Sequence, residues 1–309
     1  MISITRITLI LIFSCLSSIS LSETKNGASP QVLSLPSGPG SIEGLGEAFE
    51  PQLNSGTVSY SIPLKTPPGR AGLQPSIALS YNGGNPNGIL GLGWKLAVPK
   101  IQVQTEDGFP SYDANDRFIG SEGEELIEIE TGVFRAEIEG GFKRYTKLTD
   151  GWKVQSKSGL TSFYGTDSLS QVAEASKIFS WLLKKQVDLN GNEVDFIYQS
   201  LDSGRQRYLS EVQYNRNGND YQSVKFHYES RADKLTDYRS GFAILNAFRL
   251  DYVDMLSQTK LVRRYQLEYT ENINVTLLKS VQEFGNDGLS ALPPVSLTYT
   301  GLAVTEPAL

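Results

Sequence analysis

"LLKKQVDLNGNEVDFIY", Leu182 to Tyr198, reads as a complete β-hairpin. Val194, Phe196 and Tyr198 recur at period two and so share one face of a strand. Asn190-Gly191 supplies residues suited to a tight turn. The ending apolar-x-apolar-x-Tyr returns as IALSY at 77–81, VKFHY at 224–228, YQLEY at 265–269 and VSLTY at 295–299. Two of these also follow a partner run and a turn, "LSEVQYNRNGNDYQSVKFHY" with Asn217-Gly218 and "LKSVQEFGNDGLSALPPVSLTY" with Asp287-Gly288. A lone hairpin is marginal in water, so the repeats are expected to line up edge to edge. The fold class this predicts is all-β, repeated antiparallel hairpins forming one large curved sheet with little helix. Helix candidates are weak, such as Leu169 to Lys177, where Ala and Glu cluster for two turns, and no helical layer is expected from them.

Composition points the same way. The 309 residues could hold one large or two ordinary domains, and 39% apolar content is enough for a core. With 15 Tyr and 29 Gly against 2 Met, the balance favours strands and turns. Arg6, the apolar run Ile7 to Ile19 and Ser20-Leu21-Ser22 read as a secretory signal peptide cleaved between Ser22 and Glu23. Lipoprotein-type cleavage at Cys15 is the alternative, although Phe13 fits that pattern poorly. The expected location is outside the cytoplasm: secreted, periplasmic or on the cell surface.

Removing residues 1–22 takes away the only cysteine, so neither disulfides nor a thiolate metal site are expected. It also removes Arg6, leaving 27 basic against 34 acidic residues, a net charge of −7. No basic block suggests a nucleic-acid groove. No second run of 18 apolar residues follows, and no transmembrane span is expected after signal removal. The organisation predicted is a signal peptide at 1–22, a flexible polar leader at 23–32, a Gly/Pro-rich β region at 33–120 and a hairpin strip at 121–309. The strip is expected to continue from the preceding region and to be truncated at its C-terminal end.

Residues able to carry chemistry are few. His227 is the single histidine, and in VKFHYES it alternates to the face opposite Phe226 and Tyr228, with no partner for a triad or a multi-histidine zinc site. The run EGEELIEIE, Glu122 to Glu130, is read as a strand with Glu on its wet face. DLNGNE from Asp188 and NRNGND from Asn215 are oxygen-rich, but glycine falls at the fourth position, not the sixth, and the glutamate at position twelve of a calcium loop is missing. Gly38-x-Gly40 and Gly91-x-Gly93 lack the third glycine and helix of a phosphate loop. No catalytic residue, metal ligand or cofactor is expected.

One segment is more specific. In "LPSGPGSIEGLGEAFEPQLNSGTVSYSIPLKTPPGRAGLQPSIALSYNGGNPNGILGLGWKLAVPKI", Leu35 to Ile101, the distinctive features are Leu35-Pro36, the strand before Pro63, Pro68-Gly69-Arg70, Gly72 to Tyr81, Gly91-Leu92-Gly93-Trp94 and Pro99. This resembles the N-terminal region shared by the Salmonella plasmid virulence protein SpvB and the B components of insecticidal Tc toxin complexes. DLNGNEVDFIY is similar to the D-x-x-G-N-x-x-x-Y repeats of Rhs/YD proteins.

The resemblance implies a Tc-shell-like sheet, a non-enzymatic scaffold segment that helps enclose or deliver a C-terminal or partner effector. Its partners would be another toxin-complex or Rhs-like polypeptide and the effector cargo. Before Leu309 neither an ADP-ribosyltransferase domain nor β-propeller repeats are recognisable, so a fragment or shortened relative is expected. The alternative is a surface adhesin presenting one sheet face to glycans or another cell. Trp94, with Leu90, Leu92 and Leu96, is expected to plug the end of the sheet, the Gly/Pro run blunting an otherwise bare edge.

Overall fold

Val, Ile, Thr, Tyr and Phe at alternating positions favour a pleated backbone, and strand pairing dominates the architecture. A computed structural model describes residues 48–52, 57–218, 220–272 and 275–299. The expected signal peptide with Cys15, Ser22 and Glu23, the expected leader and Leu35-Pro36 lie outside the described residues.

Four strands form a first antiparallel sheet in chain order: β1 (Ala48–Gln52), β2 (Thr57–Leu64), β3 (Ile77–Asn82) and β4 (Trp94–Leu96). A second sheet begins as a meander of β5 (Lys100–Val103), β6 (Phe118–Ile119), β7 (Glu125–Glu130), β8 (Val133–Ala136), β9 (Arg144–Leu148), β10 (Gly151–Gln155) and β11 (Thr161–Tyr164). After β12 (Gln171–Glu174), the long β13 (Lys177–Val187) pairs with β5 through Ser180–Leu182 and with β11 through residues 183–187. This closes an eight-stranded barrel that takes strands from both sides of residue 120.

The barrel interior is filled by aromatic rings, as expected at this strand number. Phe118 and Trp152 lie 5.0 Å apart, Phe134 and Trp152 5.2 Å, and Trp152 and Trp181 5.9 Å, all edge to face.

The end of β13 also pairs with β14 (Glu193–Gln199) through Lys185–Val187. From there the sheet runs on through β15 (Tyr208–Asn217), β16 (Asp220–Asp237), β17 (Ile244–Ser257), β18 (Lys260–Asn272), β19 (Val275–Phe284) and β20 (Val295–Ser296). The repeated hairpins thus form one continuous all-β sheet, as the sequence predicted. Each predicted turn holds a glycine in the left-handed region, Gly191 at φ 76°, Gly218 at 62° and Gly288 at 67°.

Two local details sharpen the sequence reading. The weak candidate Leu169 to Lys177 forms no α-helix. Asp167 caps a single 3-10 turn at Ser168–Ser170, accepting the Ser170 N–H at 2.7 Å, and Val172 is then buried in β12. In β7 the glutamates Glu128 and Glu130 are exposed, as expected, and the isoleucines are exposed with them. Leu126, paired with Phe118, faces the interior, which sends Ile127 and Ile129 outward and puts Glu128 on the Leu126 face, where it accepts the Gly132 N–H at 2.7 Å.

The terminal tyrosines of the repeats have a common role. Tyr164, Tyr198, Tyr228 and Tyr269 each stand opposite a leucine of the next strand, Leu183, Leu209, Leu250 and Leu278, where one extra residue bulges out: Lys184, Ser210, Asp251 and Lys279. A bulge interrupts the ladder of backbone bonds. At each of these bulges the leucine carbonyl accepts a tyrosine hydroxyl from the following repeat. Tyr198 donates to Leu183 at 2.8 Å, Tyr228 to Leu209 at 2.8 Å, Tyr269 to Leu250 at 2.5 Å and Tyr299 to Leu278 at 2.8 Å. Burial raises the pKa of Tyr198, Tyr228 and Tyr269, so the hydroxyls remain donors. Tyr81 shares the sequence pattern but lies in the first sheet, where its ring packs 5.4 Å from Trp94.

Tyr228→Phe should cost about 1–3 kcal/mol in urea unfolding, because the Leu209 carbonyl loses its donor. Tyr238→Phe, at a side chain 61% exposed, should change stability by less than about 0.5 kcal/mol. Burial also pushes Tyr164, Tyr214 and Tyr299 up to about 12. Unfolded tyrosine ionises near pH 10, so the contribution of these groups is complete below about pH 10 and is lost as pH rises through about 12. Urea midpoints measured across that window, with absorbance at 295 nm, should fall only above about pH 10.

Candidate functional site

The seam between the four-stranded sheet and the strip gathers most of the distinctive residues. Alternation in β16 fails after Tyr228. The β16–β17 register jumps from Ser230 opposite Phe248 to Leu235 opposite Asn246, leaving residues 231–234 as a wide bulge. Inside it lie Arg231 and Asp233, with side chains only 0% and 4% exposed. Arg231 donates from Nε to Asp233 Oδ1 and from Nη2 to Oδ2, both at 2.8 Å. It also donates to the Gly88 carbonyl at 2.5 Å and to Asn87 Oδ1 at 2.7 Å. Asp233 accepts three further bonds, from the Thr276 N–H at 2.7 Å, the Thr276 hydroxyl at 2.6 Å and Asn87 Nδ2 at 2.9 Å. Burial alone would raise its carboxyl pKa, but the bonds from Arg231, Thr276 and Asn87 outweigh it and hold the carboxyl well below the ordinary range.

This pair anchors the glycine-rich loop. Leu92 N–H bonds to the Thr276 carbonyl at 2.9 Å and Leu250 N–H to the Ile89 carbonyl at 2.9 Å. Gly91, at φ 88°, comes so close that a Cβ would stand 2.6 Å from the Thr276 oxygen, and a Cβ on Gly93, at φ 80°, would stand 2.3 Å from the Tyr81 ring. Both positions require glycine. Trp94 is buried between Tyr60 and Tyr81, and its indole N–H donates to the Tyr299 hydroxyl at 2.9 Å. Trp94 and Leu90 thus join two sheets face to face, whereas the sequence had assigned them to the end of one.

Pro68-Gly69-Arg70 is fixed at the strip's other side. Tyr214 donates to the Pro67 carbonyl at 2.8 Å and Asn215 Nδ2 to that of Pro68 at 2.9 Å, while Arg70 N–H bonds Asn215 Oδ1 at 2.7 Å. Gly72 follows with φ 80°. Sequence reading missed Arg231, Asp233, Thr276 and Asn87. The available signal was the polar run ESRADK breaking an alternating strand.

The residues considered for chemistry stay apart. His227 stacks on Tyr252 at 4.1 Å, and its Nε2 is 3.7 Å from Asp254, beyond hydrogen-bond reach. Asp254 is instead held by Arg264 through bonds of 2.6 and 2.9 Å. Burial lowers the imidazole pKa, which leaves His227 neutral on the strip's outer face at pH 7. Glu122 pairs with Lys143 at 2.7 Å. The Asp188 carboxylate accepts N–H bonds from Asn190 and Asn192, both at 2.8 Å, as turn chemistry requires. Among the described residues, no group of three or more His, Cys, Asp or Glu could hold a metal ion, and no helix is long and apolar enough to cross a membrane.

Asp233→Asn should destabilise the chain by about 3–5 kcal/mol, since it leaves a buried guanidinium without its counter-charge. The depressed carboxyl pKa makes Asp233's contribution complete above about pH 4 and lost as pH falls below it. The variant should therefore show a shallower acid limb in urea midpoints between about pH 4 and pH 2. Gly91→Ala should cost more than about 1 kcal/mol in the same assay.

The family model SpvB, described as Salmonella virulence plasmid 65kDa B protein, matches residues 52–139 and 129–231. Curated relatives include the mono(ADP-ribosyl)transferases SpvB of Salmonella choleraesuis and Salmonella typhimurium. Each is 27% identical over 241 aligned positions, covering 61% of this chain and 40% of the relative. Among solved structures, a chain of the TcdB2-TccC3 crystal structure is 27% identical with a TM-score of 0.76, covering 86% of this chain and 17% of that one. A chain of the Photorhabdus luminescens Tc holotoxin pore gives 26% and 0.77 over the same shares. The N-terminal domain of effector protein SpvB from Salmonella typhimurium, at 23% identity and TM-score 0.64, covers 72% of this chain and 98% of that domain and shares the fold. The glycine-rich loop, the tyrosine repeats and a family match across more than half of the residues converge, and the chain belongs to the SpvB family.

Proposed function

We propose that the chain is a non-enzymatic wall segment of an exported toxin or virulence assembly, which helps to enclose or deliver an effector carried by further polypeptide. The observation that carries this reading is the likeness to TcdB2-TccC3 over 86% of the chain, through barrel and strip alike. That complex joins two components. By analogy the partner here is another toxin-complex or Rhs-like polypeptide, with the effector as cargo. The curated relatives are transferases, but this chain spans about 40% of their length, and we assign no transfer step to its residues. Residues 1–22 would direct export.

The fate of the tyrosines favours a wall over an adhesin. Tyr198, Tyr228, Tyr269 and Tyr299 are engaged with backbone carbonyls of neighbouring strands. They form no open aromatic row of the kind that stacks on sugars, and the outer face of the strip carries ion pairs such as Arg249–Glu229 and Arg264–Asp254 instead.

The test is purification of the tagged chain from its native host, followed by mass spectrometry and limited proteolysis. A polypeptide rich in further strand repeats should co-purify, together with an effector segment that becomes protease-sensitive only after the assembly is opened. Recovery as a free monomer, or NAD turnover by the purified chain, would overturn the proposal.

A further inference from the structure

Barrel, four-stranded sheet and strip leave between them an open cleft of about 910 Å³, within the range of small-molecule sites. Its charged lining is one-sided. Lys95, Lys100, Arg207 and Arg239 face Asp237 alone, a local excess of three positive charges in a chain whose net charge is −6. Arg239 already holds Asp237 through bonds of 3.1 and 2.7 Å. Among the described residues no carboxylate lies within ion-pair distance of Lys95, Lys100 or Arg207.

Arg207 is the most telling of these. Its Nε is buried with no hydrogen-bond partner, and its Nη1 reaches only the Gly204 and Arg205 carbonyls, at 3.5 and 3.4 Å. A guanidinium left in this state within a folded wall is short of an acceptor. Lys100 is exposed at the start of β5, and its ammonium pKa is lowered by the protein packed around it and by Arg239, with Asp237 a smaller opposing influence. A bound anion would relieve that repulsion. Val172, Phe179, Leu182 and Ile244 give the cleft an apolar wall beside the cations.

We propose that this cleft binds a small organic phosphate, the dianionic group set between Arg207, Lys100 and Lys95 and the apolar body against Phe179 and Ile244. Two negative charges fit better than one, because a single carboxylate would leave most of the excess unneutralised. The planar guanidinium suits the tetrahedral oxygens of a phosphate. This site does not depend on the wall-segment reading.

The test is isothermal titration of the full 309-residue chain with phenyl phosphate, inorganic phosphate, benzyl alcohol and isophthalate. Phenyl phosphate should bind once per chain and more weakly as salt rises, ahead of inorganic phosphate and isophthalate, with no saturable heat from benzyl alcohol. Arg207→Gln and Lys100→Gln should each weaken phenyl phosphate at least about tenfold, while Lys279→Gln on the strip's outer edge should leave affinity unchanged. Lys95→Gln, at an exposed side chain, repeats the test without disturbing packing and should also weaken binding. No saturable binding of phenyl phosphate, unchanged affinity in the folded cleft variants, or tighter binding of isophthalate would each overturn the assignment.

Discussion

A tyrosine hydroxyl meeting a leucine carbonyl at a neighbouring bulge is the contact on which the strip depends. A bulge bends its strand and increases local twist, so bulges of one construction on every second strand give the sheet a regular curvature. Without a donor, each would leave a carbonyl unpaired in a low-dielectric layer, at a cost of about 1–3 kcal/mol. The tyrosine removes that cost and ties each repeat to the one before it. The repeat in the sequence is thereby converted into a repeat of shape.

The curved strip has an apolar face to cover, and the four-stranded sheet covers it. Ile62, Leu64, Ile77, Leu79, Leu90 and Trp94 join Val212, Val224, Leu250, Val253, Met255 and Leu278 in one buried cluster. Apolar contact supplies affinity between the layers but little angular preference. Position comes from polar bonds: Arg231 and Asp233 in their wide bulge at one side and Asn215 on the proline turn at the other. A buried ion pair is poor evidence of net stability, yet here every oxygen of the carboxylate is used, and the loop bound to it can dock in one way only.

Much of this was legible in the sequence. Period-two alternation gave strands at Val194–Tyr198 and Val224–Tyr228, and the asparagine-glycine and aspartate-glycine pairs gave turns. What alternation could not convey was which strands would meet at a distance. Nothing in Lys177–Val187 marks it as the strand that closes a barrel, because both of its edges read alike. The exposure of Ile127 and Ile129 in β7 was not legible because Ile and Glu alternate either way, and Leu126 settles the phase only once it is paired with Phe118. Residues 231–233 were overlooked because a charged run in a strand ordinarily marks solvent. The cleft is still less visible, since Lys95, Lys100, Arg207 and Arg239 come from four separate segments.

Closure through β13 also bears on the speed of folding. Gln102 pairs with Ser180, 78 positions later, and Trp94 with Tyr299 across 205. Contacts this remote in the chain form slowly, because the loop entropy must be overcome before they contribute. Throughout that interval β5 and β11 present open edges to any other strand nearby. Dilution and lower temperature, which favour closure over intermolecular pairing, are therefore expected to raise the yield of native chain.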